Sequence, residues 1–410
     1  MYFDMTSQLY RSDVKIHALV LQEANCFLFC TQDVVQRSSL WSLLVSETLE
    51  SSFSQVEALV QLISLCLIQI CGIDYQRHQY DGALLKLDLA EQYCRDCGPV
   101  CGQRLVRCLR LRGLISQTRG NLIAATKALQ EASSIAQSLD DLRYEALLND
   151  SLACVFLSQG KIADAEHLFI SAQEYYESDD GQSHLASLFI SRGQIAVFRN
   201  EFPNARFFLS NAMELDHEHN GGRLRLHILA WKASCEGRAG SFAAARTILE
   251  GATKVIIGPG TPQFTYYVGA MRGKAYYEAR LGRFEDARKT ILHAIKSQQE
   301  SGRDLYSLFV SACIELFCDG GQETAESICQ MVVKADRGTS TTFAAIYRQT
   351  LGEMMLRNEK VLEAKAQFRI AKMVCDESGI SPRHLYVKIA HWFSLPEEHD
   401  GWTRFLDGRL

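Results

Sequence analysis

Four cysteines stand within fifteen residues in "CRDCGPVCGQRLVRC": Cys94, Cys97, Cys101 and Cys108. Thiolates so spaced could ligate a tetrahedral zinc ion, since the Gly-Pro pair at 98–99 lets the chain turn and brings the first three together. Structural zinc sites, however, usually pair two Cys-x-x-Cys knuckles, and this chain offers one. The four are therefore weak metal candidates. Cysteine acting as a small apolar residue, in a chain with fourteen of them, is the plainer account. A second cluster, "DHEH" at 216–219, is too close-set along the chain to make a site alone and reads as a solvated loop. No HExxH, GxSxG, GxGxxG or Walker-type motif occurs, and "GPGTP" at 258–262 lacks the Lys-Ser or Lys-Thr of a phosphate loop. The acid pairs Asp140-Asp141 and Asp179-Asp180 suit helix caps. The expectation is a chain without catalysis and without a cofactor.

Bulk properties narrow the class further. Six prolines in 410 residues favour long helices, because an interior proline costs about 3 kcal/mol. A net charge of −5 lacks the positive field of a nucleic-acid binder. The opening "MYFDMTSQLYRSD" is not a secretory leader, which points to an intracellular, cytoplasmic setting where thiols stay reduced; a nuclear one is compatible. The run "ALVQLISLCLIQICGI" at 58–73 is uncharged but short of the ~20 apolar residues of a membrane span, and it reads as a buried helix.

The elements that would carry any site are set by a repeat. Ala83, Ala125, Ala165, Ala205, Ala245, Ala287, Ala325 and Ala364 recur at steps of 42, 40, 40, 40, 42, 38 and 39 residues. Large apolar residues mostly stand three before and four after each alanine, and small ones seven after. These offsets lie on one face of a helix, B. Five before the alanine comes Gly120, Gly160, Asn200, Gly240, Gly282 or Gly320, residues that tolerate the left-handed conformation ending a helix. Upstream lies helix A, with a small residue twelve before the alanine: Gly113, Ala153, Gly193, Ala233 and Ala275. A helix pair of this kind buries its apolar face only by stacking on its neighbours.

This pattern resembles the tetratricopeptide repeat, most completely in "LACVFLSQGKIADAEHLFISAQEYY" at 152–176, and over about residues 66–376 as a whole. The step near 40 exceeds the 34 of the standard motif, and the early helix A aromatic and closing proline are mostly absent. The resemblance implies an all-α solenoid, a right-handed superhelix of about eight units. Residues 1–60 would be a helical cap or the remnant of a preceding domain, 61–376 the array, and 377–410 a capping helix and tail. Trp392 and Trp402 would serve that cap or, failing that, a partner. The long, cysteine-rich units also resemble the arrays that follow a nucleotide-binding switch in fungal STAND-type signalling proteins.

In such arrays, helix A lines the concave face. The residues two and ten before the turn then place Phe198, Arg238, Arg272, Arg280 and Arg357 in a groove, with Arg110 and, one turn away, Arg107. Arginine suits bidentate capture of carboxylates or phosphorylated residues. The Lys and Asn set by which chaperone-binding members hold a terminal carboxylate is not visible at these positions. The implied function is a non-enzymatic scaffold or sensor that binds a peptide or partner protein, an acidic one fitting best. Its alternatives are a structural subunit of a large complex of ubiquitin-ligase or proteasome-lid type and, more remotely, an RNA-binding solenoid. The sequence leaves the oligomeric state open.

Overall fold

The computed structural model describes residues 57–76, 79–178, 181–220, 222–254, 257, 261, 263–297, 305–318, 321–335, 341–378, 380–382 and 401–410. These are almost wholly helical, with no strand among them. The helices pair in sequence as A and B: α1 (Glu57–Gln76) with α2 (Tyr80–Asp96), α3 (Gly102–Thr118) with α4 (Leu122–Ser138), and α5 (Leu142–Gln159) with α6 (Ile162–Tyr176). Next come α7 (Gln182–Phe198) with α8 (Phe202–Asn220), α9 (Arg225–Arg238) with α10 (Phe242–Ala252), and α11 (Phe264–Arg280) with α12 (Phe284–Ser297). The last pairs are α13 (Leu305–Glu315) with α14 (Gln322–Ala335) and α15 (Thr341–Arg357) with α16 (Val361–Ser378), followed by a short α17 (Gly401–Leu406). A 3-10 turn, Gly98–Cys101, joins α2 to α3. By their contacts the described residues sort into two bodies: those up to 115 with 127–145, and 116–126 with those from 146 onward.

The uncharged run at 58–73 lies in α1, where Ile63, Cys66, Leu67, Ile68 and Ile70 are buried. No helix among the described residues is long and apolar enough to cross a membrane. Of the expected N-terminal segment, residues 1–56 lie outside the described residues, as do Gly320, Trp392 and most of the 258–262 loop.

The chain reverses at the same place in each pair for a backbone reason. The residue five before the repeated alanine has positive φ: Gly120 (78°), Gly160 (86°), Asn200 (60°), Gly240 (85°), Gly282 (74°) and Glu359 (61°). At each, the following amide donates back to the helix A carbonyl five residues earlier, as from Lys161 to Phe156 (2.9 Å), Ser241 to Glu236 (2.9 Å) and Lys360 to Met355 (2.9 Å). This Schellman closure satisfies carbonyls that the helix end would otherwise orphan. Glu359 is the exception in residue type, holding a conformation that a side chain disfavours by about 1–2 kcal/mol. Glu359→Gly is therefore expected to stabilise the protein by roughly 0.5–1 kcal/mol once glycine's entropy is counted. The urea midpoint would rise with the slope unchanged; a fall would show that the side chain compensates for its backbone.

All eight repeated alanines are fully buried. Around them A and B interlock small against large. A Cβ added at Gly113, Gly193 or Gly352 would come within 2.6, 2.8 or 2.4 Å of Leu129, Leu209 or Phe368, the residue four after the alanine. The absence of a side chain on A is thus what lets B seat its largest one.

In the second body a polar clasp links each hairpin to the next from one fixed position, the residue after the repeated alanine. Thr126 accepts from Gln159 (3.2 Å), Glu166 pairs with Arg199 (2.8 Å), and Arg206 with Glu236 (2.7 Å). Arg246 pairs with Glu278 (3.6 Å), Arg288 with Glu315 (2.7 Å) and Glu326 with Lys360 (2.7 Å). The sign changes along the array while the position does not. Hydrogen bonds from Arg206 and Arg288 hold the Glu236 and Glu315 carboxyls below the usual carboxylate range. The more exposed of these pairs, such as Glu166–Arg199 and Arg206–Glu236, contribute about 0–1 kcal/mol each.

The C-terminal residues fold back. Glu353, buried on α15, accepts from the Gly401 (3.1 Å) and Trp402 (2.6 Å) amides and so caps α17. Trp402 is fully buried, its ring 5.7 Å from Phe368, and its Nε1 donates to the Pro382 carbonyl (3.1 Å). On its other side the 380–382 segment reaches far back in the chain: the Ser381 amide donates to the Gln159 carbonyl at the end of α5 (2.9 Å).

Candidate functional site

The A helices of the second body touch one another in succession, α7 to α9, α9 to α11 and α11 to α13. Rings and guanidinium groups fill the contacts. Between α7 and α9, Phe198 packs edge-on to Trp231 (5.8 Å), and the Arg238 guanidinium lies 5.4 Å from the Phe198 ring centre. Between α9 and α11, His227 stacks on Tyr266 (4.5 Å, 20°). Between α11 and α13, Arg272 lies over Tyr306 (4.7 Å). Arg280 lies over Phe242 (4.1 Å) and Phe317 (5.3 Å), and its Nη1 donates to the Tyr276 hydroxyl (3.0 Å). Tyr306 and Phe309 carry the seam on to Phe343 (5.1 Å) and Tyr347 (5.2 Å) of α15.

A guanidinium stacked on a ring is attracted through its face, while its N–H donors lie in the plane and point past the ring edge. Contact with these rings therefore restricts Arg238, Arg272 and Arg280 before any ligand arrives, which lowers the entropy cost of binding. Burial also pulls the Arg238 pKa down from its ordinary value, without threatening its charge near neutrality. His227 is a different kind of group. Trp231 Nε1 donates to its Nε2 (3.1 Å), so the proton sits on Nδ1. Burial pushes the imidazole down to about 4, which keeps it neutral at cellular pH.

The residues singled out from sequence are distributed unevenly. Phe198 and Arg238 meet; Arg272 and Arg280 share α11. Arg357, at the end of α15, is exposed. Arg107 and Arg110 are half-buried on α3 in the first body. Counting ten residues back from the turn selects Ala230 on α9, whereas the stripe through Arg238 runs along 238, 231 and 227, so Trp231 and His227 were missed. Helical spacing back from Arg238 in steps of seven and four would have found them.

In the first body Cys94, Cys101 and Cys108 are buried and Cys97 half-buried. Among the described residues no three His, Cys, Asp or Glu side chains are arranged to hold a metal ion. Cys101 lies in the 3-10 turn and Cys108 on α3. Asp216 of "DHEH" is buried and accepts from the Leu224 amide (3.0 Å), a loop-bracing role.

No family model matches the sequence, and no curated protein matches it. Solved structures do. The chain is similar to a Rap protein complexed with competence and sporulation factor, with a TM-score of 0.57 at 14% identity, covering 84% of this chain and 98% of that one. It is similar to aspartyl phosphate phosphatase F from Bacillus subtilis (0.54 at 12%, covering 86% and 97%). It is also similar to the Rap conjugation gene regulator of the plasmid pLS20 in complex with the Phr* peptide (0.54 at 9%, covering 89% and 98%). At these identities the likeness shows the fold: an all-α array of tetratricopeptide-like helical hairpins.

Proposed function

We propose that the chain is a non-enzymatic receptor that binds an extended acidic segment, a peptide or the flexible part of a partner protein, along the A helices from α7 to α15. The observation that carries this is the seam itself: the Arg238, Arg272 and Arg280 guanidinium groups lie over rings supplied by neighbouring hairpins. Packed helices lie 8–10 Å apart and an extended chain advances about 3.3 Å per residue, so successive A helices would meet ligand residues roughly three apart. The similar pLS20 regulator was solved with a peptide, which fits this use of the fold. The Bacillus subtilis neighbour is named for a phosphatase activity. Here the seam's imidazole is poorly placed for base catalysis, because Nε2 is taken by Trp231 and burial, by pushing its pKa down, leaves the ring a weak base. If the array serves a switch domain, as in the STAND-type proteins it resembles, this face would be the sensing arm.

The test is fluorescence anisotropy with a labelled 12-residue peptide carrying Glu at every third position in a Gly/Ser background, beside its Lys counterpart. The acidic peptide is expected to bind and the basic one not. Changing Arg238, Arg272 and Arg280 together to Glu should weaken binding by about ten- to a hundredfold in a still-helical protein. Equal binding of both peptides, or indifference to the triple reversal, would overturn the reading.

A second reading, assembly into a larger complex through the B helices, is favoured by the exposed apolar residues there, notably Leu85 (73%), Phe207 (61%) and Leu362 (80%).

A further inference from the structure

We propose that two copies of this chain pair by exchanging their C-terminal helices, each laying its own α17 on the α15 and α16 of the other. This rests on the C-terminal contacts alone and does not depend on the binding reading.

The seat and the segment that fills it are separate stretches of sequence. The seat is made by Glu353 and Leu356 on α15, Phe368 on α16 and Pro382 beyond it; the segment is α17. Eighteen residues, 383–400, lie between the two, chain enough to span about 60 Å when extended. The far end of the segment closes on itself. Gly408 has a φ of 69°, and the Arg409 amide donates to the Arg404 carbonyl (2.7 Å).

The fit is selective. Glu353 offers one carboxylate oxygen to each of two successive amides, Oε1 to Trp402 (2.6 Å) and Oε2 to Gly401 (3.1 Å). Position 401 needs a glycine, because a Cβ there would collide with Leu356 Cδ1 and lie 3.3 Å from Phe368 Cζ. The Trp402 indole N–H reaches the Pro382 carbonyl (3.1 Å), and its ring meets Phe368. Phe405 meets the same ring at 5.6 Å. The seat thus reads Gly-Trp-x-x-Phe. Left empty, it would hold a buried carboxylate without these two donors and would expose Phe368 to water. The array therefore favours keeping an occupant.

Each of these contacts is the same whichever copy supplies the segment; only the connection between segment and seat differs. Every copy has one seat and one segment, so exchange is reciprocal, and the first insertion makes the second intramolecular. The partner that this face fits is accordingly a second copy of the chain, contributing Gly401, Trp402 and Phe405.

The test is light scattering from the full chain over about a hundredfold range of concentration, where the mass should move from one chain to two. Excess synthetic peptide GWTRFLDGRL should return it to one chain, and the same peptide carrying Gly401→Leu should leave it at two. Two full-chain variants then separate exchange from a contact made within one copy. Glu353→Lys breaks the seat and keeps the segment; Gly401→Leu with Trp402→Ala breaks the segment and keeps the seat. Each alone should stay at the mass of one chain. Mixed, they should pair, and the Trp402 fluorescence of the Glu353→Lys chain should move to the blue as it enters the other copy's seat. Folded variants that ignore each other would overturn the proposal. So would a wild type that remains one chain at every concentration, or one whose two-chain mass the peptide leaves unchanged. Those wild-type results hold even if a variant fails to fold.

Discussion

Phe368→Ala is expected to destabilise the protein by about 3–5 kcal/mol, the largest effect of any single ring deletion in the C-terminal hairpin. Phe368 is fully buried on α16. It sits where Gly352 leaves room on α15, and it carries the Trp402 and Phe405 rings at 5.7 and 5.6 Å. The hollow left by its removal would be walled by helix backbone on one side and by a tryptophan on the other, so it cannot collapse cheaply. The 401–410 segment would lose its seat as well. Two readouts separate these consequences. Urea unfolding gives the stability loss, and Trp402 fluorescence should shift to the red before the main transition. A loss below ~1 kcal/mol would mean that the α15–α16 interface is far looser than its burial indicates.

Glu278→Ala is expected to cost about 3 kcal/mol or more, although it deletes a charged residue. Glu278 is 1% exposed on α11, with Lys274 Nζ at 3.0 Å, Arg246 Nε at 3.6 Å and the Thr290 hydroxyl donating at 2.8 Å. Truncation leaves two largely buried cations facing each other without their counter-ion. Arg246 keeps Glu250 at 3.1 Å, which places the expected loss toward the lower end. The informative comparison is the joint replacement Glu278→Leu with Lys274→Met, which removes charge on both sides and should recover much of the loss. If the single and joint variants are equally unstable, the cost is packing and not an unpaired charge.

What the sequence revealed and concealed follows from how far each feature reaches along the chain. The repeated alanines and the turn glycines were legible because each is fixed by contacts within one hairpin, a dozen residues at most. Glu359 was not, because a glutamate at positive φ carries no compositional signal; only the shared Schellman bonds expose it. The clasps from Thr126 to Glu326 escaped because each partner lies 27 to 34 residues on and the chemistry changes sign between hairpins. The arginines were found, but not their role in the structure. Arg238 and Arg280 looked like solvent-facing donors, whereas each lies over a ring from another hairpin. His227 and Trp231 were overlooked since a fixed count from the turn ignores the 3.6-residue period that places them on the Arg238 stripe.

The bond from the Ser381 amide to the Gln159 carbonyl has a thermodynamic consequence. An open repeat array is a one-dimensional lattice: each unit senses only its neighbours, end units fray, and unfolding broadens as length grows. A tie between residues more than two hundred positions apart turns the intervening hairpins of the second body into a cycle. A cycle has no free end from which to unzip. Its first opening must break an interior interface or the tie itself. Hydrogen exchange in α5 and α16, the two helices beside the tie, should then rise together and not in order of distance from the chain's end.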